Sequence, residues 1–211
     1  MCGSAILLFV RGYRTRRRTL SERARIGLFA AAVIFAGGAD IAEAQGASFR
    51  VCHGYDCYRS TRVTLTAGDL KRIAAAMAQG MKSAEAERSA VRRAVAIFEE
   101  RSTAVIGVRD KAKMQFGRAR IKGQMDCIDE STNTDHFLKF LQSTGWLRHH
   151  RMARKTSRGF FLDGRYPHWT AVLKDEHGVL WAVDSWFEPG GGLPDVMKLS
   201  EWKQRGVGGQ R

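Results

Sequence analysis

Proline is scarce in this 211-residue chain, at three residues, and nothing in it repeats at a period of 20–50 residues. These absences exclude a proline-rich linker protein and a solenoid or propeller array. Acids are also in deficit, with Asp+Glu 21 against Lys+Arg 35 and a formal charge of +14. What is present is ordinary for a globular chain: 44% apolar and 27% charged residues permit a packed core and exclude global disorder. The surplus charge raises the question of a nucleic-acid partner, so its location matters.

Part of it lies at the start. Residues 1–44 carry seven arginines and three acids, a net +4, in a basic stretch before Ile26–Gly38 and Ala42-Glu43-Ala44. A charged leader, a 13-residue apolar stretch and small residues at −3 and −1 predict a secretory signal peptide cleaved near Ala44. The alternative is an uncleaved N-terminal anchor, although the apolar stretch is short for a ~30 Å hydrocarbon core. Arg16-Arg17-Arg18-Thr19-Leu20 leaves the choice between general and twin-arginine export open. The expected mature chain, residues 45–211 as a single domain, keeps +10 scattered among acids. Such a chain is expected in the periplasm or outside the cell. Its expected partners are a protein or peptide substrate in the envelope and an anionic membrane or wall surface, rather than nucleic acid.

Compartment then sorts the four cysteines. Cys2 leaves with the signal peptide. Cys52 and Cys57 flank a turn-like His53-Gly54-Tyr55-Asp56 and predict a small-loop disulfide. A metal site from Cys52, His53 and Cys57 is the alternative, but no second half of a ligand-spacing signature exists, so neither metal nor cofactor is expected. Cys127 remains as the unpaired thiol.

Thr66 with Asp69 marks an N-cap, and Leu70, Ile73, Ala74 and Met77 form a helical stripe ending at Gly80. Ser83 opens a second helix whose Glu99-Glu100-Arg101 end is expected to face water, with a basic surface loop over residues 103–123. A third helix starts at Asp126 and stops at Gly145. Trp146–Thr156, Phe160–Leu162, His168–Lys174 and Val179–Asp184 are strand-like, and Leu199–Trp202 forms an amphipathic turn. The fold class is therefore α+β, helices first and an antiparallel meander after them.

The chemistry converges on three residues. Cys127 stands at a helix start, where backbone N–H groups favour a thiolate. His168 opens one strand and Asp184 closes the next. A turn centred on Glu176 would set the two directly opposite each other, with Thr170 and Val172 on the same face as Ala182 and Leu180. Cysteine, histidine and an acid that orients the histidine are the parts of a thiol nucleophile. Asp126 beside the thiol opposes the helix dipole by like-charge repulsion.

Gln124-Met125-Asp126-Cys127, His168-Trp169-Thr170-Ala171-Val172 and Trp181-Ala182-Val183-Asp184-Ser185, in that order, resemble the transglutaminase-like cysteine hydrolase superfamily. The nearest type within it is the bacterial transglutaminase-like cysteine proteinases. The resemblance spans Gly123–Trp186 and implies a papain-like core with Cys127 as nucleophile, His168 as base and Asp184 as orienting acid. Gln124 is a candidate oxyanion donor, or else an exposed residue. Glu130, Ser131 and Asn133 either decorate the helix surface or line the cleft. His149-His150 is expected on a solvated strand face, and Trp186 and Phe187 either wall a groove or pack on the core. Two functions stay in view: an exported hydrolase or acyl transferase acting on an amide bond, with readily alkylated Cys127, and a non-catalytic envelope scaffold of the same fold.

Overall fold

A computed structural model describes residues 47–115, 117–159 and 167–205. The expected signal peptide at residues 1–44 and the expected strand Phe160–Leu162 lie outside the described residues. The element order is β1 (Ser48–His53), β2 (Arg59–Thr64), α1 (Ala67–Gly80), α2 (Ala84–Ile106), α3 (Cys127–Ser143), β3 (His150–Arg158), β4 (His168–Asp175), β5 (Leu180–Asp184), β6 (Asp195–Lys198) and α4 (Leu199–Gln204). Helices and antiparallel sheets together make the chain α+β.

The start signals act as their chemistry dictates. Thr66 and Asp69 form a reciprocal capping box on α1, and Ser83 caps α2 through the Ala86 amide. At the end of α1 the helices touch so closely that a Cβ on Gly80 would stand 2.8 Å from the Ala90 Cβ. Only glycine fits there.

Three expectations need correction. A two-stranded antiparallel sheet, β1–β2, precedes the helices where residues 45–65 read as extended and irregular, with alternation only at Arg62-Val63-Thr64-Leu65. Helix α2 runs on to Ile106 and ends with Gly107 in the left-handed region, φ 80°. Its Glu99 does not lie in open water: the carboxylate accepts a 3.0 Å hydrogen bond from the Gly191 amide. A short strand, β6, also forms in the tail, extending the sheet to the order β3-β4-β5-β6.

The main core is closed by aromatic rings from three elements. Phe98 of α2 stacks on Phe137 of α3 at 4.7 Å between centroids, and Phe49 of β1 meets Phe98 edge-on at 5.0 Å. Ala171, Leu173 and Val183 bring one face of the larger sheet into this core. The opposite face carries Val172 and Ala182 against Leu199 and Trp202 of α4, a second and smaller cluster. Among the described residues, no helix is long and apolar enough to cross a membrane.

Beyond α2 the chain is tied down by a buried acid. Glu87, 1% exposed, accepts from the amides of Arg148, His149 and His150 and from the His150 ring Nδ1 at 2.9 Å. His150 is thus buried at the start of β3 rather than on a solvated face, and His149 carries the more exposed ring of the two.

Candidate active site

The hairpin β4–β5 pairs Ala171 with Val183, Val172 with Ala182 and Lys174 with Leu180. This register is shifted two residues from the expected one, so Asp184 lies along the strand from the position facing His168. An even shift preserves the face, whereas an odd one would have turned one side chain to the other side of the sheet. The two side chains therefore meet diagonally: His168 Nε2 lies 2.8 Å from Asp184 Oδ2, both buried.

Asp184 is itself held. The Trp202 indole Nε1–H donates to the same Oδ2 at 2.7 Å, and the Trp186 amide donates to Oδ1 at 3.2 Å. Trp186 packs 4.5 Å from the imidazole, and Trp202 lies 5.6 Å away on α4. The carboxylate is acceptor-only, so it fixes the proton on Nε2 and leaves Nδ1 as the basic atom. Nδ1 is buried and, among the described residues, has no hydrogen-bond partner. Trp202 was not legible as a site residue, because its contact depends on α4 folding back over β5.

Cys127 is the first residue of α3. Asp126 caps that helix, accepting from the Ile128 and Asp129 amides, and Asp129 reciprocates to the Asp126 amide. The thiol points at the start of β4, where Sγ lies 3.9 Å from the Pro167 carbonyl oxygen and faces the Trp169 amide. These two residues flank His168 in the chain, so packing of α3 on β4 sets the thiol against the backbone on either side of the base candidate. The thiol is not acidic, however. Burial pushes it up to about 11; the Trp169 amide pulls the other way, while Asp126 and Asp184 add repulsion. The helix dipole favours a thiolate, but desolvation outweighs it.

The remaining expected residues take other places. Gln124 is buried and its Nε2 donates to the Arg109 carbonyl at 3.2 Å, tying it to the preceding loop. Asn133 is an internal strut, donating to the Cys52 carbonyl and accepting from the Cys52 amide at 2.7 Å. Cys52 and Cys57 form a disulfide, so their sulfurs are bonded to each other rather than offered to a metal. Between them Gly54, Tyr55, Asp56 and Cys57 all adopt positive φ, from 50° to 90°. Such a run is strained for L-residues, and it aims successive amides one way. The Tyr55 and Cys57 amides donate to Asp129 at 2.8 and 2.7 Å, and the Asp56 amide donates to Asp126 at 3.1 Å. The disulfide turn thereby clamps the acids on either side of Cys127.

Beneath the site sits an acidic pocket invisible to sequence reading, since its members are far apart in the chain. Glu99 of α2, Asp110 of the loop and Glu130 of α3 line a cavity of about 20 Å³, room for about one water. Asp110 and Glu130 pair with each other there, and among the described residues no other group partners Asp110 Oδ2 or Glu130 Oε2. Burial pushes Glu99 and Asp110 up to about 7; backbone and side-chain hydrogen bonds oppose it, and neighbouring carboxylates add to it. Burial and the Asp126 charge raise Asp129 to about 7, and Glu130 is held well above the usual carboxylate range by burial first and the Asp110 charge next.

Each of these groups binds its proton more tightly folded than unfolded. Their contribution to stability is full below about pH 4 and is lost as pH rises through about 7. Glu87 and Asp69 behave oppositely. Hydrogen bonds overcome burial and lower them, so their contribution vanishes below about pH 4. Thermal melts are therefore expected to peak between about pH 4 and 6 and to fall steadily towards pH 8. A melting temperature that climbs from pH 5 to 8 would contradict this electrostatic picture.

Neither a scan against models of protein families, nor a search of curated proteins, nor a search of solved structures returns a match to this chain.

Proposed function

We propose that this protein is an exported cysteine hydrolase or acyl transferase acting on an amide or peptide bond, built on a papain-like, transglutaminase-like core. The observation that carries the reading is the buried His168–Asp184 pair, with Nδ1 unpartnered among the described residues and the Cys127 thiol lodged between Pro167 and Trp169. As Sγ bonds to the substrate carbonyl carbon, its proton passes to His168 Nδ1, and Asp184 stabilises the imidazolium. The oxyanion is received by the Cys127 amide, which the Asp126 cap passes over and which faces its own thiol in the resting protein. Collapse breaks the C–N bond, and the leaving amine takes the proton from His168. Water or a second amine then attacks the thioester, releasing an acid or a new amide and restoring the thiol. The envelope is the proposed setting, with a protein or peptide as substrate.

This is general-base activation rather than a standing thiolate–imidazolium pair. A thiol at about 11 is ionised in about one molecule in 10⁴ at pH 7, against about one in 30 for an ordinary cysteine. In the resting protein, iodoacetamide should modify Cys127 slowly, with a rate rising about tenfold per pH unit from 7 to 9. A plateau below pH 8 would show a preformed thiolate instead.

The suppressed thiol also favours a second reading, in which the fold serves as an envelope scaffold and Cys127 is a buried structural residue. Complementation separates the two. Under the catalytic reading a Cys127→Ala copy fails to restore a deletion strain, whereas full restoration would establish the scaffold.

A further inference from the structure

Beside the disulfide turn, Arg59, Arg120 and the nearby Lys122 outnumber the one carboxylate present, Asp56. The Arg59 and Arg120 guanidinium carbons lie 5.5 and 5.0 Å from the centroid of the same exposed Tyr58 ring. Arg59 Nε donates to the Arg120 carbonyl at 3.1 Å, fixing the first side chain against the second residue's backbone. The fields of Arg59 and Lys122 both reach His53, which is lowered by burial first and by these two charges next. Among the described residues, none of the three cations forms a salt bridge. Like charges gathered on one ring repel, and nothing else in the turn compensates them except Asp56.

This cluster is tied to the reacting centre through the backbone. The Arg120 amide donates to the Gly54 carbonyl at 2.8 Å, and the Gly54 amide to the Gln124 carbonyl at 2.6 Å. The Asp56 amide holds Asp126, the residue before Cys127. At about 3.3 Å per extended residue, a peptide bound at Cys127 reaches the cluster within a few residues. A hollow beside it is lined by Gly54, Tyr55, Asp56, Tyr58, Ala119 and Arg120; Asp56 is its one acid, outnumbered by the guanidinium groups of Arg120 and Arg59 at its rim.

We infer that Arg59 and Arg120, gathered on Tyr58 with Lys122 adding its charge nearby, form a subsite for an acidic stretch of the polypeptide substrate, a few residues from the amide that Cys127 attacks. This inference rests on the catalytic reading for the role of the site, but the binding itself does not require chemistry. Guanidinium forks pair bidentately with carboxylates, and the Tyr58 ring orders both arginines before the ligand arrives.

The test is fluorescence anisotropy of the full chain carrying Cys127→Ala, with a labelled Glu-rich peptide, a Gln-rich peptide of equal length, and anionic phosphatidylglycerol vesicles. The Glu-rich peptide should bind at least tenfold more tightly than the Gln-rich one and should weaken severalfold from 0.1 to 0.5 M salt. Arg59→Glu/Arg120→Glu should weaken Glu-peptide binding at least tenfold, with Arg59→Lys/Arg120→Lys intermediate and the distant exposed pair Lys71→Glu/Lys82→Glu close to unchanged. Melting curves run alongside, and Arg59→Gln/Arg120→Gln replaces the reversal should that variant melt early. Equal loss of binding in the Lys71/Lys82 control, no loss in the arginine variants, or binding only to vesicles overturns the inference. Thioester trapping on the Cys127-bearing protein is scored separately. Absence of a thioester together with intact Glu-peptide selectivity would sink the catalytic reading and leave the acidic-peptide site standing.

Discussion

Asp184→Asn is expected to lower Cys127 acylation by about 10⁴-fold while leaving the fold and substrate affinity nearly intact. An asparagine oxygen placed at the Oδ2 position still accepts from the Trp202 indole, and only the longer 3.2 Å bond from the Trp186 amide to Oδ1 is lost, so most of the local frame survives. What changes is the proton. The carboxylate can only accept, which holds the proton on His168 Nε2 and leaves Nδ1 basic. An amide can also donate, so the opposite tautomer becomes available and no negative charge remains to stabilise an imidazolium. The loss should therefore fall on kcat rather than KM. The readout is the burst from a p-nitrophenyl acyl ester, followed by intact mass for the acyl group on Cys127. Cys127→Ala should abolish the burst and His168→Ala should reduce it as strongly as Asp184→Asn. If all three variants retain the wild-type burst, the trio is structural.

Glu87→Ala is expected to cost about 3–5 kcal/mol of stability, the largest effect of any single substitution outside the aromatic core. The carboxylate serves three consecutive amides and the His150 ring from a position that is almost fully buried. Alanine would strand all of them without water to replace the lost acceptor. In a chain of this size the melting temperature should fall by roughly 10 °C. Glu87→Gln retains one accepting oxygen and should lose less. A fall of only one or two degrees for the alanine variant would mean that water reaches the turn between α3 and β3.

Local chemistry was read directly where the signal was short-range. The Thr66–Asp69 box, the Ser83 cap, the start of α3 and the Cys52–Cys57 bridge all involve residues within five positions of each other, and each forms as its composition dictates. The strands around His168 and Asp184 were legible for the same reason, since alternation on a sheet has a period of two. The β1–β2 pair was legible only in part: residues 45–65 read as extended, but four of the six β2 residues are exposed, and the pairing joins residues as far apart as Ser48 and Thr64.

By itself, then, the sequence determined the helix starts, the disulfide, the α+β class and the shared face of His168 and Asp184. Parity is a local property, so the pair survived a register that differed by two residues. Tertiary structure decided what no spacing encodes. It brought Trp202 onto Asp184 from eighteen residues away, and it gathered Glu99, Asp110 and Glu130 beneath the site. It also reversed the expected acidity of Cys127, because a helix start favours a thiolate only while solvent or a counter-charge can share it. Burial depends on what the rest of the chain packs against a residue, so no local pattern carries it.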